Sequence, residues 1–246
     1  MAQKKPQPAK SKYELWKETV DDGVSNASWD VYDTTIKLEV SDYNTRLSGT
    51  PGYKKVDWLL IKAMLWTESG GPKNKTWKTR VMQIGNSGDP GYDIVKNGKE
   101  GAPVVASARV QSDVAKGNIN EPHLNVRVAI AYLFTRMAKF ENKSVVDSSN
   151  PKVFTYTVVK GDKGLADIAG KVGSTTEILQ KLNPSKKILH LGDVIQCQKA
   201  SIKMVVSGWR TFDTATIAAR YNGGGDDRYA EKLDYVLALF ARLKRS

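Results

Sequence analysis

From Val56 the chain reads VDWLLIKAMLWTESGG, and Val56, Leu60, Ile61, Met64, Leu65 and Glu68 recur at spacings of three and four, which predicts one apolar helix face. The run stops at Ser69, Gly70, Gly71 and Pro72, an ordinary helix end, so Glu68 falls in the last turn, on or beside that face. The same periodicity predicts helices over residues 125 to 140 (NVRVAIAYLFTRMAKF), 214 to 222 (TATIAARYN) and 229 to 243 (YAEKLDYVLALFARL). Upstream, residues 13 to 50 carry a short alternation at Val31, Ile36, Leu38 and Val40 that predicts partly extended structure; this N-terminal extension has no readable role. Residues 153 to 199 differ again. Two β-like runs, FTYTVV at 154 to 159 and DVIQC at 193 to 197, bracket two short helical patterns, and Asn150 with Pro151 marks the entry. The expected class is α+β: a mainly helical domain built from residues 51 to 150 and 203 to 246, with a small βααβ module over 153 to 199 spliced into it. Splicing of this kind is tolerated where chain ends lie close together at a surface.

Composition narrows the possibilities. At 246 residues there is enough chain for one large domain or two modest ones. No apolar run approaches the roughly 18 to 20 residues that span a bilayer, so no transmembrane segment is expected. The single Cys197 forbids an intramolecular disulfide and a cysteine metal cluster, and only His123 and His190 offer imidazoles; neither a metal nor a cofactor is expected. Lys and Arg total 38 against 26 for Asp and Glu, a formal charge of +12 that favours polyanions such as DNA, anionic lipid or bacterial cell wall. Residues 1 to 12 place Lys4, Lys5, Lys10 and Lys12 beside Pro6 and Pro8 and read as a flexible basic tail. No apolar stretch of about 7 to 15 residues follows it, so a signal peptide is not expected.

Glu68 is the residue with chemistry in its placement. Burial disfavours a carboxylate and the negative end of a helix dipole opposes it further, so its pKa should rise. A carboxyl group still protonated near neutral pH is what a glycosidic leaving oxygen requires. From this segment alone Glu68 can also be read as a solvated helix-end residue.

Further residues bear on that choice. Glu68-Ser69-Gly70 is followed in order by Val81-Met82-Gln83-Ile84-Gly85, by Asn125 with Tyr132-Leu133, and by Ala219-Arg220-Tyr221-Asn222-Gly223-Gly224, with Tyr229 beyond. This ordered set resembles the lytic transglycosylase and goose-type lysozyme family, over roughly residues 51 to 145 and 203 to 246. The resemblance implies a lysozyme-like fold for the helical domain and Glu68 as the sole catalytic acid and base. It implies substrate contacts from Ser69, Met82, Gln83 and Tyr132, with Tyr221 and Asn222 flanking the acid. Met82 and Tyr221 could equally be core packing, and Gln83 and Asn222 could brace backbone. The sequence departs from the family between Gly70 and Met82, where Gly71-Pro72-Lys73-Asn74-Lys75-Thr76-Trp77-Lys78-Thr79-Arg80-Val81 replaces its usual run. A hydrolase would need a second carboxylate, for which Asp89, Asp93, Asp226 and Asp227 are candidates. The family's alternative needs none and yields a 1,6-anhydro-muramyl end.

Within residues 156 to 195, Tyr156-Thr157-Val158, Gly161-Asp162, Leu165, Ile168-Ala169, Leu179, Leu182-Asn183 and Leu191-Gly192-Asp193-Val194-Ile195 resemble a LysM domain. That resemblance implies binding of N-acetylglucosamine-containing glycans. One wall of the groove would be Gly161, Asp162, Lys163, Gly164 and Leu165; the other would be Asn183, Pro184 and Ser185. Leu179, Ile168 and Ile195 are expected in the module's core.

Three functions are distinguishable: a lytic transglycosylase cleaving the MurNAc-GlcNAc bond of peptidoglycan, with a hydrolytic lysozyme as its variant; a non-catalytic cell-wall-binding component of an injection apparatus; and a nucleic-acid binder resting on charge alone. The first is expected, with peptidoglycan strands as partner and no nucleic acid. A cell-wall target without a visible leader resembles the cargo of phage tails or type VI secretion. On that reading the protein is made in the bacterial cytoplasm and acts in the periplasm or on a target cell wall, and a delivery apparatus and an immunity protein are candidate partners.

Overall fold

Burial on every side, rather than on one face, defines the helix that carries Glu68. In the computed structural model, which describes residues 9–243, helix α3 (Trp58–Ser69) buries every residue from Leu60 to Thr67, and Ser69. Asp57 caps its start by accepting the Leu59 N–H at 2.9 Å. It packs against α2 (Asp33–Leu47) on one side and α11 (Tyr229–Leu243) on another. A second buried helix, α7 (Pro122–Met137), packs against α2 and against the short helices α4 (Pro90–Lys96), α5 (Ala102–Val105) and α6 (Ala108–Lys116). The expected helix over 125 to 140 therefore starts three residues earlier, and Phe140 lies instead on strand β1 (Ala138–Val146).

The N-terminal extension is helical, not extended. Helix α1 (Lys12–Gly23) begins at a capping box made by Ser11 and Glu14, and a short 3-10 turn (Ala27–Trp29) leads into α2. The period-two reading of Ile36, Leu38 and Val40 fails because Leu38 is 62% exposed while Ile36, Val40, Tyr43 and Leu47 are buried at helical spacing. The expected basic tail also ends earlier: Lys12 opens α1, and residues 1 to 8 lie outside the described residues.

The described residues fall into two compact units, one within Met1–Lys139 and Val206–Ser246 and the other Phe140–Val205. The class is α+β. In the second unit, β2 (Val153–Thr157), α8 (Leu165–Val172), α9 (Thr176–Leu182) and β3 (Val194–Gln198) follow in order. β2 and β3 run antiparallel, with Tyr156 opposite Ile195. Val158, Ile168, Ala169, Val172, Leu179, Ile195 and Cys197 form its core, which holds the three residues expected there. The chain enters this unit along β1 and leaves along β4 (Ala200–Trp209), and those two strands pair with each other, a ribbon the hydrophobic pattern did not signal. In the first unit the chain continues through α10 (Thr214–Ile217) into a π-helical turn (Ala218–Asn222) and then α11.

The run after Gly70 that departs from the family pattern is held by aromatic packing. Trp29 lies 4.5 Å from Trp66 and 5.8 Å from Trp77 between ring centroids, and the Tyr32 hydroxyl donates to the Trp77 carbonyl. The Trp29 ring leaves no room at Gly71, whose φ of 92° already excludes most side chains: a Cβ there would lie 2.1 Å from the ring. Gly71→Ala is expected to lower stability by about 3 kcal/mol, combining overpacking with backbone strain. Urea unfolding measures this, and an unchanged midpoint would show that the Trp29 ring does not seat against Gly71.

Candidate functional site

Helix α3 ends where Gly70 adopts the left-handed conformation (φ 64°) and donates its N–H to the Trp66 carbonyl at 3.0 Å. That stop leaves Glu68 half-buried in the final turn, near the negative end of the dipole. Burial pushes its pKa up to about 7; the Tyr229 hydroxyl opposes the rise, the carboxylates of Asp226 and Asp89 add to it, and Lys232 draws it back. A carboxyl group poised there can give up and recover a proton near neutral pH.

Two buried tyrosines surround it. Tyr221, on the π-helical turn, donates its hydroxyl to the Met82 carbonyl at 3.2 Å, and its ring lies 5.4 Å from that of Tyr132. Tyr229, the first residue of α11, is 2% exposed, and its hydroxyl makes no hydrogen bond of ordinary geometry, yet it interacts with Glu68 closely enough for each to shift the other's titration. Burial first, and the Glu68 charge second, push both tyrosines well above their ordinary range, so both remain protonated donors. Tyr229 is the residue that motif reading left out of the site; its signal was its position at the start of an amphipathic helix just past the Gly-rich turn.

Gln83 is among the few non-glycine residues at positive φ (59°), and its side chain donates to the Glu68 carbonyl at 2.8 Å while accepting from the Asn86 amide at 2.7 Å. It braces the backbone of the acid, at a strained position of the kind that concentrates at functional sites. Asn125 is fully buried and does comparable work: it accepts the Met82 N–H at 2.8 Å and donates to the Ile84 and Ile119 carbonyls at 2.9 and 3.2 Å.

Three of the expected site residues are engaged within the fold. Ser69 is 1% exposed, and its hydroxyl donates to the Leu65 carbonyl and accepts the Gly71 N–H, so it finishes the helix. Met82 is equally buried and packs in the core. Asn222 accepts the Asp226 N–H at 2.9 Å and braces the turn before α11. Tyr132 is also buried, and touches the site through Tyr221.

Three of the four candidate second carboxylates are engaged elsewhere. Asp89 caps α4, accepting the Gly85 and Gly91 N–H groups at 2.7 and 2.9 Å. Burial works to raise the Asp226 pKa, but Lys232 at 2.6 Å, the Arg228 N–H and their positive charges outweigh it and hold the group low. Asp93 is held below the usual range by Lys99 and Asn97, and Asp227 is exposed. A cavity of about 340 Å³ lies beside the Asp226–Lys232 pair, with Tyr13 and Arg228 also on its wall. Glu68 does not line it; Asp226 and Lys232, which do, are charges that act on Glu68.

In the second unit, two expected groove residues are structural. The Asp162 side chain is fully enclosed, accepting from the Val159 N–H, the Lys171 ammonium and the Tyr156 hydroxyl. Asn183 ties α9 to β3 through the Leu179 carbonyl and both backbone groups of Gln196. Gly161, Lys163, Pro184 and Ser185 are exposed, whereas Gly164 and Leu165 are half-buried, and Leu165 packs on the core. Among the described residues no cluster of three or more His, Cys, Asp or Glu could hold a metal ion, and no helix is long and apolar enough to cross a membrane.

The Glu68 pKa has a consequence for stability. Its folded value of about 7 exceeds the ordinary 4.5, so the buried carboxyl costs nothing below pH 4.5; the cost grows as pH rises toward 7 and levels off above it at about 3 kcal/mol. Glu68→Gln is therefore expected to be more stable than the parent at pH 8 and nearly equal to it at pH 4; urea midpoints at the two pH values check this, and a pH-independent difference would contradict it. No protein-family model, curated protein or solved structure matches the chain.

Proposed function

We propose that the protein cleaves the β-1,4 bond between MurNAc and GlcNAc in peptidoglycan, with Glu68 as general acid and then general base. The observation that carries this reading is the half-buried carboxyl at the end of α3, poised at about pH 7 beside two buried tyrosine hydroxyls. Glu68 protonates the leaving oxygen as its bond to C1 of the muramyl residue breaks. The substrate's N-acetyl group stabilises the positive charge at C1, the C6 hydroxyl attacks C1, and its proton returns to Glu68. The product is a 1,6-anhydro-muramyl end, and no water is consumed. Engagement of Asp89 in a helix cap and of Asp226 by Lys232 supports this route over one that needs a second free carboxylate.

The second unit would bind the same polymer as a LysM-type module, which raises local substrate concentration without adding catalytic contacts. The β2-α8-α9-β3 order and the exposed Gly161, Lys163, Pro184 and Ser185 support that role.

Glu68→Gln is expected to cut release of soluble muropeptides from purified sacculi at least about 100-fold while circular dichroism stays unchanged. Mass spectrometry of the parent digest should show anhydro ends. Reducing ends would replace the transglycosylase with a lysozyme, and undiminished release by the variant would end the reading. With Glu68 needed in its protonated form, kcat/KM should fall as pH rises above about 7.

A further inference from the structure

The π-helical turn that presents Tyr221 to Glu68 also forms part of a groove of about 700 Å³ lined by Lys139, Trp209, Arg210, Thr211, Thr216 and Arg220. All six belong to the first unit. We infer that this groove binds the free carboxylates of the peptide stems that peptidoglycan strands carry beside the scissile bond; the choice of ligand rests on the function proposed above.

The groove collects like charges that no ion pair within it neutralises. Arg210 donates to the Arg136 and Ala138 carbonyls, the former at 3.1 Å, which fixes its guanidinium but leaves its charge uncompensated. Partial burial, followed by repulsion from Arg220 and Arg136, pulls Arg210 below its ordinary range. Arg136 is paired with Glu100 and donates to the Arg220 carbonyl at 3.1 Å. Among the described residues no carboxylate makes an ion pair with Lys139, Arg210 or Arg220. Asp213 is the acid at the margin, and it is occupied by the Thr216 N–H and by the hydroxyls of Thr211 and Thr216.

Such crowding opposes folding, and a bound anion relieves it. Guanidinium groups suit a carboxylate because their planar fork can donate two parallel hydrogen bonds. The wall is rigid: the Trp209 indole N–H donates to the Thr50 hydroxyl at 2.8 Å, and its ring packs on Tyr53 at 5.1 Å and Phe212 at 6.2 Å. A ring so held offers a stem peptide an apolar surface next to the cations, the mixture typical of small-ligand sites. A stem, not an isolated ion, fits an open groove of this size on the same turn as the candidate site.

The test uses the full chain and a synthetic stem tetrapeptide with free carboxylates, followed by calorimetry. The double variant Lys139→Glu/Arg220→Glu changes exposed side chains and keeps the backbone carbonyl that Arg136 uses. The tetrapeptide is expected to bind the parent, and to bind the double variant, or to be bound in its fully amidated form, about tenfold or more weakly. The variant should also show a raised KM on intact sacculi and an unchanged one on amidase-stripped glycan. Equal binding of the amidated peptide, unchanged binding by a folded double variant, or tighter binding of inorganic phosphate than of the peptide would each overturn the inference. Carboxylate-dependent peptide binding by a protein that releases no muropeptide would uphold the groove and sink the catalytic reading.

Discussion

A half-buried carboxyl group at the closing turn of an apolar helix is the constraint around which the first unit is arranged. Alone it would be a liability, since burial, the helix dipole and the neighbouring carboxylates Asp89 and Asp226 all oppose its charge. The surroundings temper that opposition without removing it. Lys232 is shared between Asp226 and the field at Glu68, and the Tyr229 hydroxyl, which has no other hydrogen-bond partner among the described residues, faces the acid. The result is a group balanced between two protonation states, fixed by helices far apart in sequence.

Holding it there requires structure with no chemistry of its own. Asn125 clamps the loop that supplies Met82 and Ile84, Tyr221 bonds the Met82 carbonyl, and Gln83 reaches the Glu68 carbonyl from a strained backbone position. The family-like motifs thus converge on one place, but most of their polar atoms are spent on backbone. They position the acid.

The sequence made part of this legible. The periodicity of the Val56–Glu68 run and its Gly stop placed Glu68 correctly, because a helix end is written locally in the chain. The burial of α3 on every side was not legible, since one apolar stripe and a wholly buried helix share most of their pattern. Residues 13 to 50 were misread as partly extended because exposed Leu38 falls between buried Ile36 and Val40 and imitates alternation. Ser69, Met82, Asp162 and Asn183 show a different limit. A motif fixes which residue stands at a position, whereas the direction of its side chain depends on partners elsewhere: Leu65 and Gly71 for Ser69, Lys171 and Tyr156 for Asp162, Gln196 for Asn183.

Strands β1 and β4 bound residues 147–199 in sequence and hydrogen-bond to each other. Along the chain, everything between them is enclosed by a single pair of strands. Ring closure is met by main-chain pairing, and its entropy grows only slowly with the length enclosed. Chain of quite different length could be enclosed there while the same main-chain pairing is kept. The paired strands are therefore a place where the enclosed chain can be exchanged while the residues around Glu68 are left as they are.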